Sequence, residues 1–332
     1  EKLKALAKSA VELGVADSLK SGTAEEALTR VASVPNGSQW LQQFEDAKDP
    51  WFNFSGGTGF YHHDPVWIDD LDVPFTYLRN YIEKVEAGEN IARPTKALRV
   101  ERDRIAEEYA GLLNTDDDRE TFQGKLGLAR TVFPYVENHN FYVEHWHHSV
   151  FWRKMRDLGK VFVEAGFTVE IDDIFYLRRD EIPEALFDMS SGWAVGNPSR
   201  GPKYWPAEVE RRKGIVNALR EWTPPPALGE PPEVVTEPFT IMLWGITSES
   251  INTWLGGGDG DTLKGFAASP GVVEGIARVL KDSSQIDQLK EGEILVASIT
   301  APSWAPIFSR IQGTVTDIGG MMSHAAIVCR EY

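Results

Sequence analysis

Residues 319–328 read Gly319-Gly320-Met321-Met322-Ser323-His324-Ala325-Ala326-Ile327-Val328. Two glycines permit a tight strand-to-helix turn, and the serine that follows is a preferred cap for a helix N-terminus. His324 then opens the helix. Amides without intrahelical acceptors and the positive end of the helix dipole favour an anion at that position, a phosphoryl dianion included. The same field lowers the basicity of the imidazole and leaves a neutral ring nitrogen available as a nucleophile near neutral pH. Ala325 and Ala326 keep the surroundings of the ring small. Cys329, five residues past His324, is expected to face the core and to have no redox role.

Working outward, short β-like runs at 275–280, 293–297 and 313–316, each bounded by Gly, Asp or Pro, precede the histidine. Before them lies Gly256-Gly257-Gly258-Asp259-Gly260-Asp261, a run that favours flexibility. We therefore expect a multidomain chain. A mainly α-helical domain over 1–255 is followed by a glycine-rich hinge at 256–263 and an α/β domain over 264–332, with the hinge allowing relative motion. In the helical part, Leu3, Leu6, Ala10 and Leu13 recur at three- and four-residue steps. The same period predicts helices at 97–113, 118–150, 150–166, 179–186 and 208–222. Residues 171–177 read as a short strand or extended segment, and the proline-rich stretch 224–238 as extended chain.

With 332 residues the chain is long enough for two domains, and its net charge of −16 argues against nucleic acid or an anionic membrane as partner. It has no run of about eighteen apolar residues and no signal peptide at its start. A single cysteine cannot form an internal disulfide, which fits a reducing, cytoplasmic setting. The chain begins at Glu1 rather than Met and ends at Tyr332 directly after a helix-like run. Both ends look cut, so a longer polypeptide is expected.

Four blocks occur in order over the C-terminal part: Ala268-Ser269-Pro270-Gly271-Val272-Val273-Glu274-Gly275, Glu293-Ile294-Leu295-Val296-Ala297, Pro302-Ser303-Trp304-Ala305-Pro306, and Gly319-Gly320 through Tyr332. Together they resemble the swivelling phosphohistidine domain shared by phosphoenolpyruvate synthases, pyruvate phosphate dikinases and their relatives. Met321, Met322 and Cys329 depart from the usual pattern. The resemblance implies that His324 carries a phosphoryl group, supported by Gly319, Gly320 and Ser323, and that the domain is truncated at its C-terminus. It also implies an ATP-dependent, dikinase-type phosphotransferase. ATP and Mg²⁺ would be bound by an ATP-grasp domain or subunit as partner, not by this chain. A helical domain placed before the histidine domain resembles the phenylphosphate-synthase-like proteins and the rifampicin phosphotransferases. The first implies a small aromatic or apolar hydroxyl acceptor. The alternatives are a rifampicin-type antibiotic phosphotransferase, a phosphoenolpyruvate-synthase-like enzyme acting on pyruvate, and a non-catalytic phosphocarrier.

The helical part is unusually aromatic. Trp51, Phe52, Phe60, His62 and His63 in a Gly- and Pro-containing passage, with Phe141, Trp146 and Trp152 further on, are candidates to line an acceptor pocket. On a regular helix Phe141, His145, His148 and Trp152 share a face, and Glu137, Glu144 and His148 lie within a narrow sector. Phosphorylation of a hydroxyl releases its proton, so His145 or His148, oriented by Glu137 or Glu144, is the candidate general base. Glu144 and His147 form half of a di-metal helix motif, but a second half is not evident, so no metal is expected.

Overall fold

The structure, a computed structural model, describes all residues except 58, 223, 225–227, 257–261, 264 and 282. The expected hinge at 256–263 falls mostly on residues outside that description. The described helices are α1 (Lys2–Glu12), α2 (Ala16–Leu19), α3 (Ala24–Ala32), α4 (Gly37–Lys48), α5 (Asp72–Glu86), α6 (Thr95–Gly111), α7 (Asp116–His139), α8 (His148–Glu164), α9 (Glu181–Val195), α10 (Gly201–Glu221), α11 (Pro238–Met242), α12 (Ser248–Gly256) and α13 (His324–Glu331). Three strands follow α12 in the chain: β1 (Ala277–Leu280), β2 (Ile294–Ala297) and β3 (Gly313–Thr316). No described helix is long and apolar enough to cross a membrane.

By internal contacts the chain forms two units. One comprises Glu1–His147, Val235–Thr247 and Asp261–Tyr332, the other His148–Val234 and Ser248–Gly260. This grouping differs from a single division at the glycine run, because the first helices share a hydrophobic core with the strands. Leu3, Leu6, Ala10, Trp40, Phe44, Phe75 and Ile82 belong to the same buried cluster as Leu280, Leu295, Trp304, Phe308 and Val328.

Local sequence explains the elements of the first unit. In α1 the buried residues are Leu3, Leu6, Ala7 and Ala10, the spacing of one helix face. Thr23 and Glu26 form a reciprocal capping box at α3. Thr115 caps α7, whose first turn holds Asp116, Asp117 and Asp118. The helix expected over 118–150 is not uniform. Regular α-helix ends at His139, and Asn140–His147 is a π-helix, the wider turn that recurs at functional sites.

β1, β2 and β3 form a parallel sheet in that order, with Ala277 opposite Ile294 and Ile294 opposite Gly313. Parallel neighbours need crossover connections, and short 3₁₀ helices at Ser283–Gln288 and Pro302–Ser309 lie within them. Beyond the carboxyl ends of β2 and β3 come Thr300 and the turn to His324. Sites in parallel sheets characteristically lie on that side.

The second unit is helical around Phe162, Phe167, Ile174, Trp205 and Val209. The expected strand at 171–177 is instead a 3₁₀ helix, Ile171–Tyr176. The Asp173 carboxylate accepts the Val169 and Glu170 amides at 3.0 and 2.9 Å, and this local bonding overrides the β preference of Ile, Phe and Tyr.

Candidate active site

Ser323 caps α13, its Oγ accepting the Ala326 amide at 3.3 Å, so His324 is the first residue of the helix. The two glycines have separate reasons. Gly319 has φ of +149° and lies against Ser323, while a side chain on Gly320 would collide with the Met242 carbonyl. The turn rests on the chain just after α11. Amides of Gly319, Gly320 and Met322 donate to the carbonyls of Trp244, Leu243 and Met242 at 3.1, 3.0 and 2.9 Å.

Around the imidazole, Thr300 Oγ1 lies 2.9 Å from Nδ1, and Phe308 packs edge-on at 5.9 Å. Burial, followed by the charge of His145, pushes the His324 pKa down to about 4. The sequence attributed this shift to the helix terminus; the structure assigns it first to desolvation. A contact through Nδ1 leaves Nε2 as the nitrogen that can react. Burial raises the Cys329 thiol pKa, and Cys329 packs against the core.

The aromatic passage forms a ribbon in the same unit. Ser55 pairs with Val66, Gly56 N–H donates to the Pro65 carbonyl at 2.6 Å, and Trp67 N–H to the Phe54 carbonyl at 2.9 Å. Trp51 stacks on Phe141 at 5.0 Å, and Phe54 lies 4.8 Å from Phe141 and 5.2 Å from His145. His145 is only 1% exposed, and its Nδ1 accepts the Ser55 amide at 3.2 Å. Gly59, at φ +88°, passes close to the Glu144 carbonyl, where a side chain would clash. On its other side the ribbon meets the α/β segment, Trp304 Nε1 donating to the Gly56 carbonyl at 3.2 Å. A cleft of about 300 Å³ is lined by Trp51, Phe54, Lys2, Arg93, Pro302 and Pro306, among others.

Of the residues singled out from sequence, Trp51, Phe141 and His145 thus gather in the unit that holds His324. Trp146 joins the ribbon through Nε1, 2.8 Å from Asp49 Oδ1, whereas Phe52 is 1% exposed and belongs to the core. Phe60 is 50% exposed, and His62 and His63 lie 5.5 Å apart, His63 being 3.8 Å from Asp64. His148 and Trp152 stack at 5.9 Å within the second unit. Glu137 is exposed on α7, and Glu144 lies 3.6 Å from His139 Nδ1. Among the described residues no group of three or more His, Cys, Asp or Glu is arranged to hold a metal ion. The residues that sequence reasoning missed are Thr300, Phe308 and Ser55. Thr300 stands just before the quoted Pro302 block, but nothing local marks it as a partner of His324.

Residues 289–332 match the family described as PEP-utilising enzyme, mobile domain. Across a larger part of the chain, the uncharacterized phosphotransferase YvkC of Bacillus subtilis (strain 168) is 22% identical over 269 residues, 81% of this chain and 30% of the relative. The rifampicin phosphotransferase of the same organism is 31% identical over 170 residues, 51% of this chain and 16% of that protein. The chondramide synthase cmdD of Chondromyces crocatus is 25% identical over 335 residues, 96% of this chain and 8% of that protein. The chain thus spans less than a third of the length of each of these relatives. Within it the mobile-domain match covers β2, β3 and the whole of α13, His324 included.

Proposed function

We propose that this chain is the phosphoryl-carrying and acceptor-side part of an ATP-dependent cytoplasmic phosphotransferase, with His324 as the carrier. The observation that supports this reading most is the state of the imidazole. His324 opens a helix, is held at Nδ1 by Thr300, and has its pKa pushed down to about 4. A neutral ring at physiological pH with Nε2 left to react is what phosphoryl capture requires. The mobile-domain match and relatives named as phosphotransferases agree with it. ATP and Mg²⁺ would be held by an ATP-grasp domain or subunit, and the carrier would move between donor and acceptor sites.

For the acceptor we propose a small aromatic or apolar hydroxyl compound, because Trp51, Phe54 and Phe141 gather in the unit that holds His324. A rifampicin-type acceptor is the second reading, favoured by the 31% identity to a rifampicin phosphotransferase over half of the chain. The test is to charge the protein with labelled ATP in the presence of its ATP-grasp domain or subunit, then add phenols, alcohols, rifampicin or pyruvate singly. Loss of label to a phenol supports the first reading and loss to rifampicin the second. Discharge by pyruvate alone, or by no small molecule, overturns both in favour of a synthase or a phosphocarrier.

A further inference from the structure

Helices α6 and α7 bury no residue, although each carries an apolar stripe. On α6 the stripe is Ile105, Tyr109 and, at the helix end, Leu112; on α7 it is Leu128, Val132 and Tyr135, and all of these are 40–71% exposed. Residues 112–115 join the two helices, and Arg130 of α7 reaches Asp103 of α6 at 2.8 Å, so they form an antiparallel hairpin. Half-buried residues mark the seam between them: Asp103, Ala106 and Ala110 on α6, and Phe122, Leu126 and Ala129 on α7. At 3.6 residues per turn each stripe lies about 120° round from its seam, in the same sense on both helices. In an antiparallel pair, equal rotation from the seam brings both stripes to one face of the hairpin. A continuous apolar face of this kind, unlike single exposed side chains, marks a place of association.

Charge along the hairpin selects the partner. Lys96 and Arg99 stand at its open end, whereas Glu107, Glu108, Asp116, Asp117, Asp118 and Glu120 cluster around the connecting loop. Copies of a chain with a net charge of −16 repel one another at long range, so they associate only where opposite charges are set together. A copy laid antiparallel brings each acidic loop over a basic open end, and a parallel copy would set acid against acid. The area is also sufficient. Helices of 17 and 24 residues are about 25 and 36 Å long and pack about 9 Å apart, which gives a face of about 500–600 Å² before side-chain relief. A stable interface takes about 800 Å² per partner, and casual contacts less than about 400 Å².

We propose that the α6–α7 hairpin is a dimerisation surface, on which a second copy of this chain lies antiparallel about a twofold axis, apolar face against apolar face. Each copy supplies the same face, and four helices close around an apolar centre. This pairing does not depend on the role of His324.

The test is sedimentation of the protein over a range of concentrations, with three double variants whose fold is checked by circular dichroism. Leu128→Glu with Val132→Glu changes only exposed side chains and is expected to raise the dimer Kd by about 100-fold or more. Lys96→Glu with Arg99→Glu makes both ends of the hairpin acidic, and Asp117→Lys with Glu120→Lys reverses the loop end. Each of these two is expected to weaken its own dimer by about tenfold or more, and an equimolar mixture of them to pair again within a few-fold of the parent, because each loop then meets an open end of opposite charge. A parent protein that is monomeric at every concentration overturns the proposal and gives the face to another occupant, a small apolar ligand or a different protein. Unchanged dimerisation of the Leu128→Glu, Val132→Glu variant, or no recovery in the mixture, overturns it as well.

Discussion

The low basicity of His324 yields a prediction that can be worked through quantitatively. A pKa of about 4 against an ordinary value of 6.5 arises first from burial and then from the charge of His145. At pH 5.5 a histidine titrating near 4 remains almost wholly neutral, whereas one titrating near 6.5 is neutral in only about a tenth of molecules. The nucleophilic fraction therefore differs roughly tenfold between the two cases. Label uptake at His324 is expected to hold steady from pH 8 to pH 5.5 and to fall only towards pH 4, after correction for the donor's own reactivity. NMR titration of ring-labelled histidine, assigned with His324→Gln, reads the same quantity directly. The linkage to stability has a definite sign. Because the folded-state pKa lies below the unfolded one, the unfolded chain binds more protons between pH 6.5 and pH 4. Stability contributed by the neutral ring is thus present above pH 6.5 and lost as pH falls to about 4, by no more than about 3.4 kcal/mol. A His324 resonance titrating between pH 6 and 7 would refute the reasoning.

Two further outcomes follow from the same geometry. Thr300→Val removes the hydroxyl 2.9 Å from Nδ1 and is expected to slow label uptake about tenfold with little loss of fold, as read from uptake rates and circular dichroism; an unchanged rate would show that Thr300 does not position the ring. Gly320→Ala meets the Met242 carbonyl and is expected to lower stability by about 1–3 kcal/mol in thermal unfolding, whereas the same change at exposed Gly214, with open space around it, is expected to cost no more.

The helix start at His324 was legible because its determinants are local. A Gly-Gly turn, a serine cap and the following small residues lie within eight positions and act through backbone geometry alone. Strands β1, β2 and β3 were legible for the same reason, as short apolar runs between breakers. The strand expected at 171–177 failed because Asp173 competes for nearby amides, which residue preference alone does not register. The surroundings of His324 were hidden by distance in the chain. Thr300 is 24 positions away, and Ser55 lies 90 positions from His145. Equal i, i+4 spacing also made His145 and His148 look equivalent. The structure separates them, since His145 lies within a π-helix in the first unit and His148 begins α8 in the second. Aromatic content signalled the ribbon but not the inward residues: Trp51 stacks on Phe141, whereas Phe60 is 50% exposed.

The most direct test of the central claim is to locate the phosphoryl group. After charging with labelled ATP alongside the ATP-grasp domain or subunit, ³¹P–¹⁵N correlation and peptide mapping would identify the bonded nitrogen. Phosphorus on Nε2 of His324, with no label in His324→Ala, is the predicted result; phosphorus on another side chain, or full charging of His324→Ala, would contradict it.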